Sequence, residues 1–224
     1  LEYPNMVQSW NVGFQPPSHH QSSGVRGFLK ILCSRKERQK LLPILSFPSV
    51  ADIPFSASFS LFSLTRSLKR CGAKAVIFDK DNTLTAPYSF SMDKQTEETV
   101  RRCQRLFGYD NVVIFSNSAG TDALISLIQG SDDDRGYLHA QTIEEELKIR
   151  VIRHHLKKPD GLLEAVSLWP SVQPSEVMMV GDRYLTDIYG GNQHGMLTVC
   201  VDIITETNDN KGAIFVDTDE AIDK

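Results

Sequence analysis

The stretch Lys74–Thr85, KAVIFDKDNTLT, constrains this chain more than any other. Four apolar residues, Ala75 to Phe78, run straight into Asp79-Lys80-Asp81-Asn82. A short apolar run with polar ends is the pattern of a buried parallel strand. In an open α/β sheet, chemistry gathers in the crevice beyond the carboxyl ends of such strands. Asp79 and Asp81 stand at that place, two residues apart. One carboxylate there can attack as a nucleophile while the other moves protons, and both suit a hard cation.

Further runs of the same kind follow. Asn111–Ser116 (NVVIFS) ends in a hydroxyl and continues as Asn117-Ser118-Ala119-Gly120 into a helix expected through Ile128. Arg150–His154 (RVIRH) precedes Lys157-Lys158-Pro159, and Val177–Val180 (VMMV) precedes Gly181-Asp182-Arg183-Tyr184-Leu185-Thr186-Asp187. Leu197–Val201 (LTVCV) reads as a fifth strand. Between the runs, helices are expected over Asp93–Phe107, with Gly108 as the stop, and over Tyr137–Ile149 and Leu162–Leu168. Gly181 reads as a turn glycine, and Asp132-Asp133-Asp134 as an exposed acidic linker.

These motifs resemble the haloacid dehalogenase-like phosphatases. DxDxT after a strand, a Ser after the second strand, a Lys before Pro, and an acidic pair after the fourth run occur in that superfamily's order. The longer forms DKDNTLT and GDR-x-x-TD are similar to the branch of mitochondrial phosphatidylglycerophosphate phosphatases. The resemblance covers Lys74 to Val201. It implies a Rossmann-like three-layer α/β sandwich with a mostly parallel central sheet and a minimal or absent cap domain.

It also implies roles. Asp79 is the expected nucleophile and Asp81 the general acid–base. Ser116, Asn117 and Lys158 are expected at the phosphate, with Lys158 also offsetting charge at the nucleophile. Mg²⁺ is the implied cofactor, held by Asp79, Asp182 and Asp81 (the last through its main-chain carbonyl). Thr83, Arg183 and Asp187 are expected in support. His154 and His155 are read as substrate contacts or structural residues, and spacing assigns no role to Lys80 and Asn82.

Charge divides the chain. Residues 1–50 carry six bases against two acids, which leaves 18 bases and 26 acids for the rest. Residues 1–23, rich in Pro, Ser, Gln and His, are expected to be disordered. Residues 24–70 are expected as a basic amphipathic arm, helical over Gly24–Phe47, ahead of a phosphatase domain at 71–224. The arm suggests import or, through residues 24–46, peripheral docking on an anionic membrane. No basic stripe with interleaved aromatics favours nucleic acid, and no apolar run is long enough to span a bilayer. Cys33, Cys71, Cys103 and Cys200 form no CxxC pair, and Cys103 and Cys200 are expected to be buried. With no initiating methionine, and no clear element beyond Val216, the sequence reads as a fragment.

The function expected from the resemblance is Mg²⁺-dependent hydrolysis of phosphatidylglycerophosphate, an anionic phospholipid, to phosphatidylglycerol on the route to cardiolipin. The expected location is peripheral, on the matrix face of the mitochondrial inner membrane, with a plastid as the alternative. A phosphatase of the same superfamily acting on a soluble monoester is the second reading. An idle fold kept for binding is the third, and the costly Asp79/Asp81 pair of like charges counts against it. Oligomeric state is left open.

Overall fold

A computed structural model of the chain describes residues 39–54, 72–121 and 134–206. The expected disorder of residues 1–23, most of the basic arm, Cys33, Cys71, Asp132, Asp133 and the segment after residue 206 lie outside the described residues.

Among the described residues six parallel strands form one sheet: β1 (Leu45–Phe47), β2 (Ala75–Phe78), β3 (Val112–Ile114), β4 (Arg150–Val151), β5 (Val177–Gly181) and β6 (Leu197–Val201). Their order is β1-β6-β5-β2-β3-β4. The chain leaves β2 toward β3 and β4, then returns to β2's other side with β5. That reversal between β2 and β5 is the switch point at which an open parallel sheet leaves a crevice.

Alternation along the strands builds a core on each face. Val76, Phe78, Val112, Ile114, Met178 and Val180 join the core under two helices, α1 (Lys94–Phe107) and α2 (Leu138–Leu147). Ala75, Ile77, Val113, Val177 and Met179 point to the other face, against Leu162, Ala165 and Val166 of α3 (Leu162–Val166) and against Trp169. Three layers result. Among the described residues, the segment from Asp79 to Asp93 contains no cap domain over the strand ends.

Helix α1 follows from its sequence. The Asp93 carboxylate caps it by accepting from the N–H groups of Gln95 and Thr96, at 2.9 and 3.0 Å. Its buried stripe contains Thr96, Val100, Cys103 and Phe107, and Gly108 ends it at φ 93°. Cys103 and Cys200 are both buried and unpaired.

Three expectations change. The described end of the supposed helical arm is not helical at Leu45–Phe47, which pairs with Val199–Val201 as the sheet's edge strand. Val50 and Ile53 continue into the α1 core, and Thr99 Oγ1 donates to the Ala51 carbonyl at 3.3 Å. Residues 45–53 therefore belong to the body, and a division at residue 71 cuts through it. The strand after α2 stops at Val151, where the chain turns toward His154. Asp134 is 4 % exposed rather than part of a solvated linker. Its carboxylate accepts from the N–H groups of Gly120, His139 and Ala140, joining the β3 exit to the start of α2.

Candidate active site

Each strand end delivers one part of the site. Asp79 follows β2 directly, and its Oδ1 accepts from the Lys80 N–H and from Lys158 Nζ, both at 2.8 Å. Among the described residues Oδ2 receives no hydrogen bond, and it is the oxygen available for chemistry. Lys158 reaches across from beyond β4, and its ammonium also lies 2.7 Å from Asp187 Oδ1. Its burial alone would favour the neutral amine, but the charges of Asp187 and Asp79 outweigh this and raise its pKa.

Asp182 sits one residue past β5, with Thr83 Oγ1 donating to it at 2.9 Å. Carboxylate oxygens of Asp79, Asp182 and Asp187 all lie within 4.8 Å of one another. Burial pushes Asp79 up to about 6, against the pull of Lys158. Burial, and then the charges of Asp79 and Asp187, push Asp182 up to about 8. Three buried carboxylates against one buried ammonium leave excess negative charge, which Arg183 offsets only in part from a half-buried position. An all-oxygen donor set with surplus charge fits a hard divalent cation such as Mg²⁺.

Asp187 is already engaged. Oδ1 faces Lys158 and Thr186, and Oδ2 accepts the Arg183 N–H at 3.1 Å. Gly181 is required for this arrangement, though not for the turn expected of it. It is the last residue of β5, and a side chain there would occupy the space filled by the Asp187 carboxyl.

Asp81 points away from the acidic cluster. Its Oδ1 lies 2.6 Å from Lys80 Nζ and accepts the Tyr88 N–H at 3.3 Å, while Oδ2 accepts from Ser118 Oγ at 3.0 Å. Burial raises its pKa, but Lys80 and these hydrogen bonds prevail and hold it below the usual carboxylate range. Only its main-chain carbonyl remains for the expected cation contact.

Ser116, 1 % exposed, lies 2.9 Å from Ser118 through their hydroxyls. Ser118 gives its proton to Asp81, so Ser116 is the donor within this pair. Asn117, expected at the phosphate, is committed elsewhere. Its Oδ1 accepts the Lys158 N–H at 2.7 Å, which fixes the backbone from which that ammonium extends.

Spacing assigns no role to Lys80 and places Ser118 only in the turn after the second strand, yet both contact the Asp81 carboxylate. His154 proves structural. Its buried ring contacts the carbonyls of Leu156, Ser116 and Ala119 at 2.8, 3.0 and 3.2 Å, stitching the β3 and β4 exits together. His155 is exposed, beside Glu164.

Comparison with known proteins points the same way. A sequence model of the family described as Mitochondrial PGP phosphatase matches residues 24–205. The phosphatidylglycerophosphate phosphatase 1 of Arabidopsis thaliana, named chloroplastic/mitochondrial, is 40% identical over 174 residues, covering 78% of this chain and 44% of that protein. The chloroplastic phosphatidylglycerophosphate phosphatase 1 of Chlamydomonas reinhardtii is 35% identical, covering 78% and 57%. The mitochondrial phosphatidylglycerophosphatase of Saccharomyces cerevisiae is 30% identical over 166 residues, covering 71% and 76%. The chain spans about half the length of the Arabidopsis and Chlamydomonas relatives. With its motifs at the strand ends and the family's match running over most of its length, this chain belongs to the mitochondrial PGP phosphatase family.

Proposed function

We propose that the chain is a Mg²⁺-dependent phosphatase that hydrolyses phosphatidylglycerophosphate to phosphatidylglycerol. The observation that carries this reading is the Lys158 ammonium, buried between Asp79 and Asp187 at the mouth of the β2/β5 crevice. It is a pre-oriented cation beside a carboxylate that keeps one oxygen free. The lipid substrate is supported by family membership.

Asp79 Oδ2 attacks phosphorus, the ester bond to the glycerol oxygen breaks, and Asp81 protonates the departing alkoxide. The phosphoryl group is then carried on Asp79. Water attacks it, Asp81 takes the water's proton, and inorganic phosphate leaves. Acid–base help of this kind is worth ~10²–10⁴-fold. The resting carboxylate form of Asp81 suits the second half. For the first, negative charge arriving with the phosphate raises its affinity for a proton. Lys158 holds the phosphoryl oxygens, joined by the Ser116 hydroxyl once substrate turns its proton away from Ser118, work that is mostly positioning and charge compensation. Asp79, Asp182 and the Asp81 carbonyl would hold Mg²⁺, which would supply positive charge against the incoming dianion.

The place of action we assign is the matrix face of the mitochondrial inner membrane, or the corresponding plastid membrane. The basic residues ahead of β1 supply electrostatic attraction to anionic lipid there.

The test is phosphate release from phosphatidylglycerophosphate in mixed micelles with Mg²⁺, for the wild type and Asp79→Asn. Metal-dependent release that the variant loses is the expected result. Turnover of an aryl phosphate without turnover of the lipid would overturn the lipid assignment and leave the soluble-monoester reading.

A further inference from the structure

Nine large apolar side chains are exposed among the described residues, and four of them share the edge of the sheet that carries the site. Tyr88, Leu156, Tyr184 and Ile204 are 61 %, 46 %, 52 % and 48 % exposed, and all four lie on segments leaving carboxyl ends of strands. Each is tied to the site. The Tyr88 N–H donates to Asp81, and Leu156 stands two residues before Lys158. Tyr184 stands two residues after Asp182. Ile204 precedes Thr205, whose N–H donates to Asn82 Oδ1 at 3.2 Å. Tyr88 is also held at φ 61°, a conformation that bulky residues rarely adopt and that tends to persist where function requires it.

We propose that Tyr88, Leu156, Tyr184 and Ile204 form a bilayer-docking rim that seats the mouth of the active site in the headgroup layer of a membrane. The proposal deepens the lipid reading above and rests on it. A phosphate esterified to a diacylglycerol anchor cannot leave the bilayer cheaply, so the crevice must approach the headgroups. The edge that carries the crevice is the edge that carries these side chains.

Their chemistry fits that occupant. Tyrosine, with an apolar ring and a polar tip, favours the membrane–water interface. Half-buried bases adjoin two of the four: Lys157 next to Leu156, and Arg183 next to Tyr184. Lys157 can lay its apolar stem along the interface with its charge among lipid phosphates, whereas Arg183 faces the acidic cluster. Acids lie beside Ile204, at Asp202 and Glu206, beside Tyr184, at the buried Asp182, and beside Leu156, whose N–H donates to Glu164 Oε1 at 3.2 Å. The rim's attraction is therefore chiefly apolar and only locally electrostatic, and it should survive salt that screens the basic segment ahead of β1.

The experiment is co-sedimentation of the Mg²⁺-loaded protein with phosphatidylcholine vesicles containing one-fifth phosphatidylglycerol, at low and high salt, by the wild type and the Leu156→Ser/Tyr184→Ser double variant. We expect the variant to bind about tenfold more weakly in high salt, since each change removes most of an exposed apolar side chain. Its turnover of an aryl phosphate should stay within about twofold of wild type, because neither residue contacts the reacting groups. Tyr109→Ser, on the amino-terminal edge of the sheet and 66 % exposed, should bind like the wild type. In a separate protein, Tyr184→Trp should be quenched by lipids brominated near the headgroup. Unchanged binding by the double variant, or no quenching at residue 184, would overturn the proposal. So would loss of self-association in place of vesicle binding, which would make the rim a contact between copies. Vesicle binding needs no turnover of lipid, so wild-type binding without lipid hydrolysis would sink the substrate assignment separately.

Discussion

The ammonium of Lys80, with no solvent exposure, lies 2.6 Å from Oδ1 of Asp81. Phe90 adds its ring face, 5.6 Å from the nitrogen. The pair places a second buried cation in the site, separate from Lys158, and aims the Asp81 carboxylate toward Ser118. Replacing Lys80 with Met should lower aryl phosphate turnover by about 10²-fold, less than Asp81→Asn, because the acid–base group survives but loses its anchor. The direction in pH follows from the sign of the effect. Lys80 lowers the Asp81 pKa, so its loss raises that pKa. Whether Asp81 limits as acid or as base, the limb of the pH–rate profile it sets should move to higher pH. A limb that stays in place would show that Asp81 does not set it.

Gly181→Ala should act on the nucleophile from a distance. The new methyl would collide with the Asp187 carboxyl, and Asp187 can yield only by dragging Lys158 away from Asp79. Turnover should fall by about 10²-fold, a loss expected when a positioning group shifts by about an ångström. Overpacking should also cost ~1–3 kcal/mol of stability. Thermal melting and single-turnover kinetics check the two separately. Full activity with lowered stability would mean that Lys158 holds its place without Asp187.

Asn192 fastens the amino-terminal segment to the sheet edge. Its Nδ2 donates to the carbonyls of Lys40 and Leu42 at 2.7 and 2.8 Å, and its Oδ1 accepts from Thr198 Oγ1 at 2.8 Å. Asn192→Ala leaves those groups to water and should cost ~1–3 kcal/mol. β1 lies at the far edge of the sheet from β4, so aryl phosphate turnover should change little. Limited proteolysis is the sharper measurement: cleavage ahead of β1 should be much faster in the variant.

The parts of the site that were legible in the sequence are those that end an apolar run. Asp79, Ser116 and Asp182 follow β2, β3 and β5 within two residues, so a strand pattern alone places them on one edge. What remained hidden depends on partners distant in sequence. β1 is three residues long and becomes a strand only because Val199–Val201 lies beside it; alone, LSF after a basic segment reads as the end of a helix. The burial of Asp134 depends on N–H groups of Gly120 and Ala140, which no local pattern brings to it. Gly181 carries a turn signal, yet its cause is a carboxyl six residues further on. Ser118 has the weakest signal of all, since Ser beyond a strand is already expected as a cap.

The last prediction concerns stability and pH away from the acidic cluster. Glu144 on α2 grips Arg153 with both oxygens, at 2.9 Å each, and Oε1 also accepts the Val151 N–H at 2.8 Å. The contact closes the edge of β4, the sheet's outermost strand on that side, whose N–H would otherwise be open to pairing. Partial burial raises the Glu144 pKa, but the Arg153 hydrogen bond, the Val151 N–H and nearby positive charge outweigh it and hold it below the usual carboxylate range. A carboxylate whose pKa is depressed in the folded state stabilises above its unfolded pKa and loses that contribution as pH falls through the folded one. After allowance for solvent screening, the contact should be worth about 1 kcal/mol near neutrality. Glu144→Gln should therefore be less stable than the wild type at pH 7 by urea denaturation. The gap should narrow as pH drops below about 4.5, where unfolded Glu takes up its proton. A gap that stays constant down to pH 3 would show that the carboxylate's charge contributes nothing and that its shape alone holds β4.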